Sequence, residues 1–543
     1  MTLTAGCNLI VIAFTSIASI GVAATESDAR VCERPPAGST VTSPASLRSS
    51  RGELRAAFTF SGRRDDVGLT RYCYVYQNGI ESPTLRVSPG DEVLLDLTNA
   101  IATQPSSMQH QHGGGSCSGG PMTAASTNLH FHGLAIPPAC HQDDAIRTSI
   151  QPFEPAFPYR FRVPASQSPG LYWYHPHLHG YTEGQVLGGA SGALIVEGIE
   201  RLKPQVAGLP ERILILRDQI IPGRGSGRKG TEADPDDATG KDVSLNFVPV
   251  TYPLYMPAVL RVLPDRREFW RVLNASADTY FTLQVISVEQ GRRVPQSLQL
   301  MAMDGAAAGD QVSASLRTEM LISPGGRAEF ILSTPHAGAF TQLISRNYDT
   351  GPDGAANPTR VIANIISSRD TAETQSANRI SATPPSRFNG LTALHPVQVR
   401  RLYFSEDLTK TADPNERPRY FITVGDKTPA LFDMNFKVPD ITARQGTVED
   451  WIIENRAREA HAFHIHQVHF QLLGRNGIKV DEEMLRDTID LPYWDGTSAV
   501  YPSVRLRMDF RAPQIIGTFL FHCHILEHED GGMMGSVEVV KAR

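Results

Sequence analysis

Along most of the chain, apolar positions come in short extended runs closed by turn residues, and few stretches sustain a helical period. "TLRVSPGDEVLLDLTN" (84–99) reads as strand, Pro-Gly-Asp turn, strand. "LRVLPDRREFWRVLNAS" (260–276) repeats the layout without the glycine, and "KVPDITARQGTVEDWIIEN" (437–455) repeats it again. A spacing of roughly 175 residues predicts three related β domains, not a short-period solenoid. The polar stretch 367–390 reads as a linker. It divides the expected units into 45–200, 201–366 and 391–543. A second low-complexity stretch, 103–127, is loop-like and contains Met108, His110, His112, Cys117 and Met122.

Composition fits this picture. The 543 residues leave room for several sizeable cores, and 41% apolar with 20% charged residues is a globular, soluble balance. The net charge is −6, with no long run of either sign. Nothing therefore points to nucleic acid, and no basic patch points to a membrane surface. The apolar run at 8–20 is too short to span a bilayer. With Val22 and Ala24 as small residues at the cleavage positions, residues 1–24 read as an export signal, although no Lys or Arg precedes the run. Cys32, Cys73, Cys117 and Cys140 could pair in an oxidising compartment, and four cysteines allow three connectivities.

Chemistry enters through histidine. Of 17 histidines, the segment 201–394 holds only His336. Four H-x-H pairs sit in β-like sequence: "HFH" at 130–132, "HPH" at 175–177, "HIH" at 464–466 and "HCH" at 522–524. In a strand, residues i and i+2 share a face, so each pair presents two imidazoles side by side, as a metal needs. His522 and His524 then face one way and Cys523 the other. By the same parity His461 lies an odd offset from His464 and can face the Cys523 side. Two centres follow. One collects Cys523, His461 and His528, with Met533 beyond, which is the donor set of a blue-copper electron-transfer site. The other collects His130, His132, His175, His177, His464, His466, His522 and His524, enough imidazoles for about three copper ions.

These four motifs, in this order, resemble those of the multicopper oxidases, the laccase family: two H-x-H pairs, then H-x-x-H-x-H and H-C-H-x-x-x-H-x-x-x-x-M. The resemblance spans roughly residues 80–540. It implies an all-β chain of three cupredoxin-like Greek-key β-sandwiches. It also implies four copper ions. Type 1 copper would be held by His461, Cys523, His528 and axial Met533, type 2 by His130 and His464. The type 3 pair would be held by His132, His175, His177, His466, His522 and His524. Where the family often has proline after the first histidine of the third motif, Ala462 stands here. Asp143, with Asp144 as its rival, resembles the family's acid near the type 2 copper, and Glu529 the acid that relays protons to dioxygen.

The activity implied is oxidation of phenols or aromatic amines coupled to reduction of dioxygen to water. A metallo-oxidase acting on Cu(I), Fe(II) or Mn(II) is the alternative. The absence of methionine between Met320 and Met434 counts against a cuprous oxidase. A non-catalytic copper-binding protein is a third reading, and the complete ligand set speaks against it. The middle unit is expected to carry no copper. His179, His336, His395 and His469 are expected to be bystanders.

Overall fold

The structure, a computed structural model, describes residues 31–102, 116–118, 120–221, 241–309, 316–369, 390–409 and 418–542. The expected export signal, His110 and His112, and most of the expected linker lie outside these residues. The described strands form six sheets. They pack as three two-sheet sandwiches, each around its own core. Strand Glu92–Asn99 shows the underlying pattern, with every second side chain buried between the sheets.

The repeated strand–turn–strand is not a hairpin in any of the three units; its two strands enter opposite sheets. Thr84–Val87 runs parallel to Gly192–Val196, and Glu92–Asn99 runs parallel to Glu53–Arg64. The middle unit pairs Ala258–Val262 with Arg360–Ser367 and Arg267–Asn274 with Glu211–Ile220 in the same sense. In the third unit, Ile441–Arg444 runs beside Met534–Val540 and Val448–Asn455 beside Gln398–Asp407. The repeat in the sequence is thus the crossover that ties the two layers of each sandwich together.

The same topology decides where histidine can gather. In the first unit, His130–His132 pairs with Gly170–His175. In the third, His461–Ile465 pairs with Gly517–Cys523. The matching pair in the middle unit, Phe281–Glu289 with Thr341–Arg346, carries no histidine. Of the three possible cysteine connectivities, the fold takes Cys32–Cys73 and Cys117–Cys140. Among the described residues no helix is long and apolar enough to cross a membrane.

Candidate metal centres

The third-unit strand pair sorts its side chains by register. His464 lies opposite His522, and Phe463 opposite Cys523. Opposed residues of an antiparallel pair share a face, so the two imidazoles point one way and the thiol the other. On the thiol side, Cys523 and Phe463 join the core of the third sandwich. His461 sits two residues before Phe463 and returns to that side. His528 arrives from the short helix Leu526–Asp530. The Nδ1 atoms of His461 and His528 are 3.1 Å apart, and each is 3.7 Å from Cys523 Sγ. All three residues are fully buried. Donors about 2.0–2.3 Å from one shared ion would sit at separations of this order.

Met533 is fully buried in the core that contains Cys523. Its N–H donates to His528 O at 2.9 Å, and its carbonyl accepts from Cys523 N at 3.1 Å. The chain reaches it through Gly532 at φ +103°, where an added Cβ would lie 2.7 Å from Leu431 Cδ2. Met534 points elsewhere, into a small cluster with Ile146 and Leu520.

On the other face, eight buried imidazoles converge from the first and third units. His130 stacks on His466 with ring centroids 3.9 Å apart, and His132 on His464 at 3.8 Å. His522 Nε2 lies 3.4 Å from His177 Nε2 and 3.2 Å from His466 Nε2. The ring nitrogens of three triads lie mutually within 4.8 Å: His130/His132/His175, His130/His464/His466 and His177/His466/His522. Strand parity carries only part of this. "HFH" lies within a strand, but His175, Ile465 and Cys523 are the last residues of theirs. Pro176 ends the ladder at "HPH", and His177 is placed by Asn128, whose side chain accepts from its N–H and donates to its carbonyl.

Burial pushes His132, His175, His461, His464, His466 and His524 well below the ordinary imidazole range, and takes His177 down to about 3. Burial raises the Cys523 thiol to about 12. Neutral imidazoles keep a lone pair free. His130 Nε2, His132 Nδ1, His175 Nε2 and His464 Nε2 are buried with no hydrogen-bond partner. Buried polar nitrogens in such number are costly unless something satisfies them, and metal ions do. The donor set on both faces therefore fits copper.

The acids divide. Asp143 accepts from Phe131 N at 3.0 Å, from His130 Nδ1 at 3.1 Å and from Gln467 Nε2. Asp144 accepts from Arg147 N and makes a loop turn instead. Glu529 is fully buried, 3.0 Å from His522 Nδ1 and 3.6 Å from His177 Nε2. Burial raises its carboxyl, and His177 and His522 draw it down by more, to below the ordinary range. The other described histidines lie outside both centres, His141 with its Nδ1 on Pro158 O. His179 packs on Phe432, His336 pairs with Asp265 at the surface, and His469 Nε2 donates to Asp304 O. His395 is exposed.

Sequence reasoning missed Asp487, Thr488, Gln467 and Arg327. Asp487 Oδ1 is 3.2 Å from His132 Nε2 and Thr488 Oγ1 is 3.3 Å from His464 Nδ1. Arg327 comes from the middle unit, so that unit touches the histidine cluster's support as well as walling it.

Residues 122–201 and 405–543 match the multicopper oxidase family. The chain is 24% identical over 476 residues to the multicopper oxidase mco of Staphylococcus aureus, covering 86% of this chain and 83% of that one. It is 26% identical over 435 residues to a laccase of Haloferax volcanii, covering 76% and 67%. Among solved structures it resembles a multicopper oxidase of Campylobacter jejuni, described as a metallo-oxidase. The TM-score is 0.65 at 23% identity, over 94% of this chain and 96% of the other.

Proposed function

The chain belongs to the multicopper oxidase family, copper oxidoreductases that use dioxygen, and from that premise we propose that it oxidises phenols or aromatic amines and reduces dioxygen to water. The observation that carries this is a third-unit strand pair that turns His461 and Cys523 to one face, where His528 joins them, and His464 and His522 to the other, where the imidazoles of the first unit meet them. His461, Cys523, His528 and Met533 would hold type 1 copper. His130 and His464 would hold type 2. His132, His175, His177, His466, His522 and His524 would hold the type 3 pair, making four ions. When bound, copper supplies one-electron acceptance from the substrate at the first site and four-electron reduction of dioxygen at the second.

The chain's own residues do the rest. Cys523 is covalently flanked by His522 and His524, so one continuous bonded path joins the two sites. Asp143 accepts the Nδ1 proton of His130 and so presents the Nε2 lone pair. Glu529, a buried carboxylate beside His177 and His522, is placed to pass protons on, where turnover of one dioxygen to two waters consumes four. The two disulfides suit an exported protein, as does the apolar run at 8–20.

One observation favours a metallo-oxidase instead: Glu459 Oε2 lies 3.4 Å from His528 Nε2, a carboxylate placed to attract a cationic reductant. Oxygen uptake measured first with a phenol and then with Cu(I), Fe(II) and Mn(II) separates the readings. Uptake with the phenol supports the laccase reading, uptake with metal ions alone supports the second, and none with any reductant leaves a copper-binding protein.

Met533 has its own test. A thioether donates weakly to copper and stabilises Cu(II), so its removal should raise the potential of the type 1 site. Met533→Leu is expected to remain blue with a higher potential in redox titration. Met534→Leu, in the separate cluster with Ile146 and Leu520, should change little. An unchanged potential in the Met533 variant would take that residue out of the coordination sphere.

A further inference from the structure

We infer that Arg327 of the middle unit and Asp487 of the third form a positioning clamp that fixes which ring nitrogen His132 and His464 turn toward the copper cluster. The inference rests on the copper-binding reading above. It concerns residues that donate nothing to metal themselves.

Asp487 acts on two histidines from two different units. Its side-chain Oδ1 is 3.2 Å from His132 Nε2, and its backbone carbonyl is 2.8 Å from His464 Nδ1. The two rings stack on each other. A neutral imidazole carries one N–H, and the acceptor it meets decides which nitrogen bears it. Asp487 thus draws the proton to Nε2 in His132 and to Nδ1 in His464. The opposite nitrogens, His132 Nδ1 and His464 Nε2, are buried without a hydrogen-bond partner. One residue therefore sets two candidate ligands in opposite tautomers, and each exposes its lone pair to the cluster. Thr488 Oγ1 adds a bond to Asp487 Oδ1 at 2.9 Å and lies within 3.5 Å of both rings.

Asp487 needs holding, because a free carboxylate could rotate away. Arg327 grips it with a two-pronged fork, Nη1 to Oδ1 at 2.7 Å and Nη2 to Oδ2 at 2.6 Å. Both residues are fully buried. Arg327 is fixed in turn: its Nε donates to Leu171 O of the first unit, its Nη1 to Gly325 O, and its backbone N to Asp304 Oδ1. Three units meet on one guanidinium. Two glycines make the room. At Gly133, directly after His132 and at φ +87°, an added Cβ would lie 2.6 Å from Asp487 Oδ2 and 2.7 Å from Arg327 Nη2. At Gly325, φ +79°, it would lie 2.7 Å from the His524 ring. Both sites favour glycine on conformation as well as on space.

The test separates hydrogen bonding from charge and from mere packing. Removing one partner alone would strand a buried charge, so the partners are changed together. Arg327→Gln/Asp487→Asn keeps an acceptor oxygen for His132 without charge. Arg327→Met/Asp487→Leu keeps bulk and the backbone carbonyl that faces His464, but no side-chain acceptor for His132. Arg212→Met/Glu268→Leu removes another buried ion pair, one within the middle unit. Each purified full chain is loaded with Cu(II), then titrated with a chelator; copper per chain, the blue absorbance and the thermal transition are recorded. Outer partners of ligating histidines typically contribute about 10–100-fold in metal affinity. We expect the Met/Leu variant to fold and stay blue but to lose its non-blue copper at roughly 10–100-fold lower chelator concentration. The Gln/Asn and control variants should hold copper as the wild type does. A Met/Leu variant that retains copper like a blue wild type overturns the clamp alone. So does equal copper loss in the control, which would assign the effect to lost ion pairing in general. A wild type that takes up no copper overturns the reading of the site itself, and the clamp with it.

Discussion

Cys523→Ser should fold, bind copper at the histidine cluster and be colourless and inactive toward every reductant. The blue colour of a thiolate–copper site is charge transfer from sulfur, and a serine hydroxyl is too hard and too weak an acid to replace it. The wild-type thiol is itself raised to about 12 by burial, so it ionises only where a bound cation displaces its proton. Serine at this position would be a buried hydroxyl among Phe463, Phe521 and Met533. Its stability cost is on the order of 1–3 kcal/mol, small enough for a chain of this size to remain folded. Oxygen uptake should fall to background, because the substrate loses the site that takes its electrons. The check is an absorption spectrum and an oxygen-uptake trace on copper-loaded protein. A variant that kept the strong blue band would remove Cys523 from the centre.

Much of this arrangement was legible in the sequence because parity in a strand is a rigid rule. The opposition of His522 to Cys523 needed only that residues 517–523 be a strand, which the register to 461–465 bears out. The repeated strand–turn–strand predicted three related units, and their matching parallel pairings show why it recurs. Parity gave out where strands end. His177 reaches the cluster through Asn128, after Pro176 has stopped the ladder, and no periodicity encodes that contact. Between Asp143 and Asp144 the sequence offered no choice, since either could turn inward; the backbone gives His130 to the first and Arg147 to the second.

Other features were illegible for a different reason. Arg327 and Asp487 are 160 residues apart, neither within a recognisable motif, and their meaning exists only once three units close on one point. Cysteine pairing is the same kind of problem, because chain proximity of 41 and 23 residues did not distinguish the connectivities. Motifs announce ligands that lie together in sequence. The groups that orient those ligands come from wherever the fold brings them.

His130→Ala and His464→Ala should show the converse of Cys523→Ser: a blue protein that no longer reduces dioxygen. Both rings lie on the cluster side, His130 in a different unit from the thiol and His464 on the face of its strand opposite Phe463 and Cys523. Neither lies in the His461/Cys523/His528 triad, so the colour and its one-time bleaching by a reductant without oxygen should survive. Steady-state oxygen uptake should not. Losing an outer partner of a metal-bound histidine costs about 10–100-fold, so losing a ligand should cost more than about 100-fold. Alanine at 130 leaves Asp143 still accepting from Phe131 N and Gln467, so the carboxylate is not stranded and the fold should hold. Alanine at 464 frees only the Asp487 carbonyl and a Thr488 contact. Anaerobic reduction followed by readmission of oxygen is the decisive measurement: the colour should bleach and then fail to return at the wild-type rate. Variants that lost their colour yet kept turnover would show that the thiolate and the eight imidazoles do not form two separate centres.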